Sequence, residues 1–369
     1  MIERDELAAW LRLLETAGVG RVPARRLLAA FGSPQGIFDA DASARREVVS
    51  AAQALALDGM PDRMPALLDT TLAWLEGQTP DSPRRVITLG DPLYPPALLE
   101  TADPPLMLYA QGRVELLGTR GIAIVGSRNP TPQGVDNARS FAATLSGGGI
   151  TVVSGLALGI DGAAHEGALT GSGSTIAVVG TGLDRVYPKR HHQLAHRIAR
   201  QGLMLSEYSL GMEPLNQNFP LRNRIIAGLT RGTLVVEAAM QSGSLITARM
   251  ASEAGRDVFA IPGSIHSPQA RGCHWLIKQG AKLVDAAQDI LEELGPMTAP
   301  VATTTTTDSE QATHDPLLEA LGYEPVTLDA LVARTGSCPT TLSSRLLELE
   351  LDGQVARLAG QLFQRVGLG

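Results

Sequence analysis

The feature that most restricts how this chain can fold is a regular alternation, from residue 85 onward, of short apolar runs with helical stretches. The runs are Arg85 to Leu89, Gly121 to Val125, Ile150 to Ser154, Thr175 to Val179, Leu203 to Ser206, Thr233 to Glu237 and Asp257 to Ile261. Helical patterns fall near 134 to 146, 161 to 169, 191 to 200, 221 to 229, 243 to 254 and 272 to 279. A strand apolar at nearly every position must be buried on both faces, and strands separated by helices pair in parallel through crossovers. The expectation is an α/β chain with an extended Rossmann-like parallel sheet as its core. In such sheets ligands sit at the carboxyl ends of the strands.

The flanks follow other patterns. Leu7, Trp10, Leu11 and Leu14 have helical spacing, Gly18-Val19-Gly20 follows, and a second helical run extends from Pro23 to Phe31, with more helix to about residue 78. Residues 1–80 therefore form a small all-α N-terminal module. Its first two helices resemble a helix-hairpin-helix, in which a glycine turn offers N–H groups to a DNA phosphate, but the same pattern suits helices that merely pack. The core spans 81–295. Residues 296–315 hold Thr303 to Thr307 among Pro, Ala and Asp, have no apolar face to bury, and are expected to be a linker. Three helical runs, 315 to 322, 327 to 335 and 339 to 351, and a hairpin pattern at Gln354 to Val366 make 316–369 a C-terminal winged-helix module. Its would-be recognition helix carries Arg345 but also Glu348, Glu350 and Asp352, a poor surface for duplex DNA.

Charge matters through its distribution. The net charge of -7 argues against coating DNA by bulk attraction. Between Arg120 and Trp275, however, 14 basic residues face 9 acidic ones, so the core carries the positive charge and the flanks the negative. Lysine occurs only at positions 189, 278 and 282, leaving arginine as the main cation. No window supplies the roughly 18 uncharged apolar residues of a spanning helix, and Met1 to Glu6 lack the basic start of an export signal. The expected location is the cytoplasm, with no membrane partner. Cys273 and Cys338 lie far apart and suggest neither disulfide nor thiolate metal site; both are read as small buried residues. His192 and His196 stand four apart on a helix without a third ligand, the pattern of an exposed polar face.

Several strand ends carry groups suited to a phosphate-bearing ligand. The strand Gly121 to Val125 ends in Gly126-Ser127-Arg128. Glycine permits close backbone approach, Ser127 and N–H groups ahead of a helix suit an anion, and the Arg128 fork matches phosphate oxygens. Ser154-Gly155-Leu156-Ala157 follows the next strand, where a dinucleotide fold would place an acidic ribose partner, and Gly-x-Gly-x-x-Gly is missing. Gly180-Thr181-Gly182 leads to Tyr187-Pro188-Lys189, and Gln241-Ser242-Gly243-Ser244 opens a helix. Together these small residues and hydroxyls imply an extended shallow trough. In Asn218 to Arg224 an aromatic, Phe219, stands beside Arg222, Asn223 and Arg224. A ring to stack on a base and an arginine to neutralise the backbone suit single strands, whose bases expose their faces. One of the two arginines is expected to be structural, pairing with Glu207 or Glu237. Asp161 and His165 are not read as an acid–base pair; Asp161 is expected to cap its helix.

These motifs occur together in one order: Gly126-Ser127-Arg128; Ser154 to Asp161 with Ala164-His165; Tyr187-Pro188-Lys189; Phe219 to Gly228; and Ser242 to Ala248. In this the chain resembles the DNA-processing DprA (Smf) family over roughly residues 85 to 285. The resemblance implies a homodimer without enzymatic activity or cofactor, which binds single-stranded DNA in natural transformation and passes it to the RecA recombinase. Carried over, Arg128 and Lys189 are the phosphate contacts and Phe219 the base contact. Gly126, Ser127, Ser154, Gly155, Arg222, Asn223, Arg224, Ser242, Gly243 and Ser244 form the rest of the trough. Family members often have a lysine ahead of the Phe-Pro pair, where this chain reads Pro214-Leu215-Asn216-Gln217-Asn218; its absence implies weaker or less salt-sensitive binding. Two other readings stand beside this one. A phosphoribohydrolase-like enzyme would need a Pro-Gly-Gly-x-Gly-Thr loop and a following glutamate, which Ser242 to Thr247 do not supply, although Glu237 is nearby. A protein-interaction scaffold would bind no DNA even at low salt.

Overall fold

The computed structural model describes residues 2–295, 315–358 and 360–366. The N-terminal part is helical: α1 (Arg4–Glu15), α2 (Arg21–Phe31), α3 (Pro34–Asp39), α4 (Ala42–Val48), α5 (Ala51–Ala56) and α6 (Met64–Glu76). Then come β1 (Arg84–Thr88), α7 (Pro96–Leu99), β2 (Met107–Gly112), β3 (Gly121–Val125), α8 (Pro132–Gly147), β4 (Thr151–Ser154), α9 (Ile160–Ala168) and β5 (Thr175–Val178). The core continues with α10 (His192–Gln201), β6 (Leu203–Ser206), α11 (Asn218–Gly228), β7 (Gly232–Val235), α12 (Ser244–Glu253), β8 (Asp257–Ala260), α13 (Arg271–Lys278), β9 (Lys282–Leu283) and α14 (Ala287–Leu294).

The strands form one sheet in the order β1-β2-β6-β5-β4-β3-β7-β8-β9. From β6 across to β9 every neighbouring pair is parallel. Strands β3 to β7 are buried along their whole length, as their continuous apolarity requires. Alternate residues serve opposite faces: Ala123, Val125, Val153 and Val178 pack with Ile225 and Ile226 of α11, whereas Ile122, Ile124 and Val152 pack with Phe141 and Leu145 of α8. The chain builds outward from β3 through β4, β5 and β6, then crosses back to place β7 on the other side of β3. The loops after β3 and β7 therefore diverge and open a crevice above the sheet.

One edge departs from the all-parallel expectation. β2 pairs antiparallel with both β6 and β1. This hairpin sends Ile87, Leu108 and Ala110 into the sheet core and Val86, Met107 and Tyr109 into a second core with Leu7, Trp10, Leu11 and Leu27. The N-terminal helices thus share their interior with the edge of the sheet, across the boundary expected at residue 80. Ion pairs reinforce the junction: Asp103 accepts from Arg21 Nε at 2.7 Å and Arg25 Nη1 at 2.6 Å, and Glu207 pairs with Arg21 Nη1 at 3.5 Å.

The C-terminal part has α15 (Pro316–Leu321), β10 (Val326–Thr327), α16 (Leu328–Thr335), α17 (Pro339–Leu351), β11 (Val355–Leu358) and β12 (Leu362–Arg365). Its sheet, in the order β10-β12-β11, covers Leu321, Leu331, Leu342, Leu346 and Leu349, the architecture of a winged helix. The linker expected at 296–315 lies outside the described residues, Asp315 excepted. Among the described residues no helix is long and apolar enough to cross a membrane. Cys273 is buried as expected, but Cys338 is exposed, because it precedes α17 where its neighbours turn outward.

Candidate nucleic-acid interface

The crevice above β3 and β7 is a cleft of about 460 Å³. Nine of the residues expected in a trough line it: Gly126, Ser127, Arg128, Phe219, Arg222, Asn223, Ser242, Gly243 and Ser244. Asn129, Gln241 and Gln269 add amides to the same lining. Arg128 is exposed, and among the described residues it has no ion pair; its guanidinium carbon lies 5.9 Å from the centre of the Phe219 ring. Tyr187 also packs against Phe219, with ring centroids 5.4 Å apart and planes inclined at 34°. Tyr187 is half exposed, and Lys189, two residues on, is exposed as well. Arg128 and Phe219 thus line the cleft, and Tyr187, two residues before the exposed Lys189, packs against the Phe219 ring.

The remaining predicted residues serve the walls. Ser154 is fully buried and its Oγ donates to Ile124 O at 2.7 Å, tying β4 to β3; its side chain does not reach the cleft. Arg224 points the other way, into ion pairs with Glu207 and, at 3.3 Å, Asp103. The expectation that one of the two arginines is structural proves too small. Arg222 is also buried, and its guanidinium donates to Gly155 O at 2.6 Å and to Val178 O. It forms the floor of the cleft, and burial brings its pKa down to about 10. Gly155 is bare because a Cβ there would fall 2.3 Å from the Arg222 guanidinium.

Two acidic groups at the strand ends are committed to the backbone. Asp161 does not cap α9; its Oδ2 accepts from Gly155 N at 3.0 Å and Ala157 N at 3.3 Å, holding the turn ahead of the helix. Burial pushes its carboxyl up from the ordinary range, against the pull of Arg222 and of these donors. Glu237 accepts from Thr131 Oγ1 at 2.6 Å and Thr131 N at 3.0 Å. It thus occupies the N-terminus of α8, where the sequence reading placed N–H groups for an external anion; burial raises this carboxyl as well. At the start of α12, by contrast, the Ser242 and Ser244 hydroxyls bond each other at 2.7 Å and line the cleft.

His165 is fully buried. It accepts from Leu156 N at 3.2 Å through Nε2, which leaves Nδ1–H to donate to Thr175 Oγ1 at 2.7 Å. Burial, His191 and Arg222 together lower its pKa to about 3, so it stands neutral as part of the wall. His192 and His196 face each other on the exposed side of α10, 3.3 Å apart through Nε2. Among the described residues no cluster of metal-ligating side chains is present.

Comparison with known proteins places this arrangement. Residues 85–295 match the family described as DNA recombination-mediator protein A, and 300–361 match the DprA winged helix domain. The chain belongs to this recombination-mediator family. Protein Smf of Escherichia coli is 42% identical over 301 residues, covering 79% of each chain. DNA processing protein DprA of Streptococcus pneumoniae is 52% identical over 203 residues, 55% of this chain and 72% of its own. Its X-ray structure superposes with a TM-score of 0.68 at 38% identity, covering 80% of this chain and 99% of that one. DNA processing protein A of Helicobacter pylori, described for its unique single-stranded DNA binding mode, gives a TM-score of 0.53 at 32% identity over 57% of this chain and 95% of that one.

Proposed function

We propose that this member of the family binds single-stranded DNA along the mouth of the cleft, as a homodimer without enzymatic activity, and passes the strand to a RecA recombinase during natural transformation. The observation that carries the DNA-binding reading is the grouping of the Phe219 ring and the exposed Tyr187 ring with the exposed cations Arg128 and Lys189, neither of which has an ion pair among the described residues. Cations neutralise the backbone, and rings accept bases only from a strand whose bases are unstacked. The hydroxyls of Ser242 and Ser244 at the start of α12, with the amides of Asn223 and Gln241, supply neutral donors for further phosphate oxygens. Delivery to the recombinase and the dimer rest on family membership alone.

Parallel titrations of one oligonucleotide, single-stranded and annealed to its complement, at a fixed salt concentration test the reading. The single strand is expected to bind at least about fivefold more tightly, since stacking on even one ring contributes roughly 1–3 kcal/mol. Equal affinity for both forms would refute it. Adding RecA to the complex tests the delivery step: faster filament formation on a strand already covered by this protein supports it, and blocked formation refutes it.

A further inference from the structure

Leu156 holds a backbone conformation that leucine avoids, with φ at +58°, and its side chain is fully buried. Such a residue persists only where its surroundings over-determine it. Both backbone polar groups of Gly155 and of Leu156, and the N–H of Ala157, are held. The N–H groups of Gly155 and Ala157 go to Asp161, the Gly155 carbonyl to Arg222, and Leu156 N–H to His165. The Leu156 carbonyl accepts from His191 Nδ1 at 3.0 Å. Asp161 and His165 belong to α9 and Arg222 to the cleft floor. His191 arrives from outside this group, at the end of the segment that carries Tyr187 and Lys189. Its own N–H donates to Pro188 O at 3.0 Å, closing a tight turn over Lys189–His191. The space it occupies is kept open by Gly162 of α9, where a Cβ would lie 2.7 Å from Cε1 and 2.9 Å from Nε2 of the imidazole.

We infer that His191 is a positioning residue for single-stranded DNA. It fastens the Tyr187–Lys189 lip to the turn at Leu156, and so keeps the Lys189 ammonium and the Tyr187 ring in line with Phe219 and Arg128. It contacts no nucleotide itself. The inference rests on the single-strand reading of the cleft.

The test is binding of a fluorescent oligothymidylate to the full chain at several salt concentrations. Lys189→Ala is expected to weaken binding about fivefold and to lower the salt slope by about 0.7, the loss of one phosphate contact on a single strand. His191→Leu and Gly162→Ala are expected to reproduce both changes. Gly162→Ala leaves the imidazole chemically intact and puts a better helix former into α9, so its fold survives even if His191→Leu fails to fold. His191→Asn, whose Nδ2 falls near the position of Nδ1, is expected to recover affinity to within about twofold of the native protein. Combining Gly162→Ala with Lys189→Ala should cost less than the product of the two separate losses. If Lys189→Ala weakens binding while Gly162→Ala keeps full affinity and slope, the positioning role is overturned and the DNA reading stands. If neither Lys189→Ala nor Arg128→Ala changes affinity, both fall together.

Discussion

The central cleft and the winged helix each present an arginine on a surface of a type that nucleic-acid-binding proteins use, yet the two are differently employed. Arg345 of α17 bonds Asp315 at 2.9 Å and Glu348 at 2.6 Å, and the same helix exposes Leu347 and Leu351 beside further acids. Arg128 has no ion pair among the described residues and lies over an aromatic ring. Around it, carboxylates that would repel a phosphate are turned inward: Glu237 onto Thr131, and Asp161 onto the turn before α9. A fold associated with DNA does not by itself make a DNA surface. What separates the two regions is whether the carboxylates near a cation are spent on the protein's own backbone or on the cation.

The sharpest way to break that comparison is Arg128→Ala. Removing an uncommitted cation from the cleft is expected to weaken single-strand binding about tenfold to a hundredfold, the range for a charge-assisted hydrogen bond, with the thermal midpoint unchanged. Native affinity in a gel-shift titration would erase the distinction between the two arginines.

Acid separates the regions next. His165 has a pKa of about 3 in the folded core against an ordinary 6.5, so the unfolded chain binds the extra proton between those values. The neutral imidazole's contribution is fully present above pH 6.5 and is lost as pH falls toward 3. Between pH 7 and 5 this one group is expected to cost the core about 2 kcal/mol. The described winged-helix residues include no histidine and lack this loss. Thermal melts at both pH values, followed separately for the whole chain and for isolated residues 315–369, check the difference. A core as stable at pH 5 as at 7 would contradict the buried neutral imidazole.

Phe219→Leu is the smaller, more selective probe. It removes a ring but no charge, so affinity should fall by about 1–2 kcal/mol with the salt slope unchanged. A slope reduced by a full contact would mean that the ring acts by holding Arg128 in place and not by meeting a base.

Most of the sheet was legible in the sequence because its signal is local. Continuous burial imposes continuous apolarity, and β3 to β8 fall within two residues of their expected bounds. β2 escaped because Met107–Gly112 follows Pro104-Pro105 and a helix of one turn, so no alternation announces it. β9, with two residues, carries no pattern at all. At the site, sequence order brought out Arg128, Phe219 and the Ser242–Ser244 turn, which line the cleft together. It could not separate Arg222 and Arg224 from them, because an arginine two positions along a helix faces a different wall. One lies beneath the turn at Gly155 and the other reaches Asp103, and only the assembled fold shows which. The histidine clasp on Leu156 was equally hidden, since it joins residues 9 and 35 positions away through the two backbone groups of a single residue.

The smallest expected effect completes the comparison. Arg345→Ala should leave single-strand affinity within about a factor of two, because its guanidinium already faces Asp315 and Glu348 and surface pairs of this kind contribute little. Freeing the arginine with Glu348→Ala should also change little, since Glu350 and Asp352 remain on the same helix to repel a phosphate. The pair of variants is informative because the two readings of α17 diverge on it. A DNA-binding recognition helix loses affinity in the first variant and gains it in the second, whereas a helix that faces another partner, or none, responds to neither.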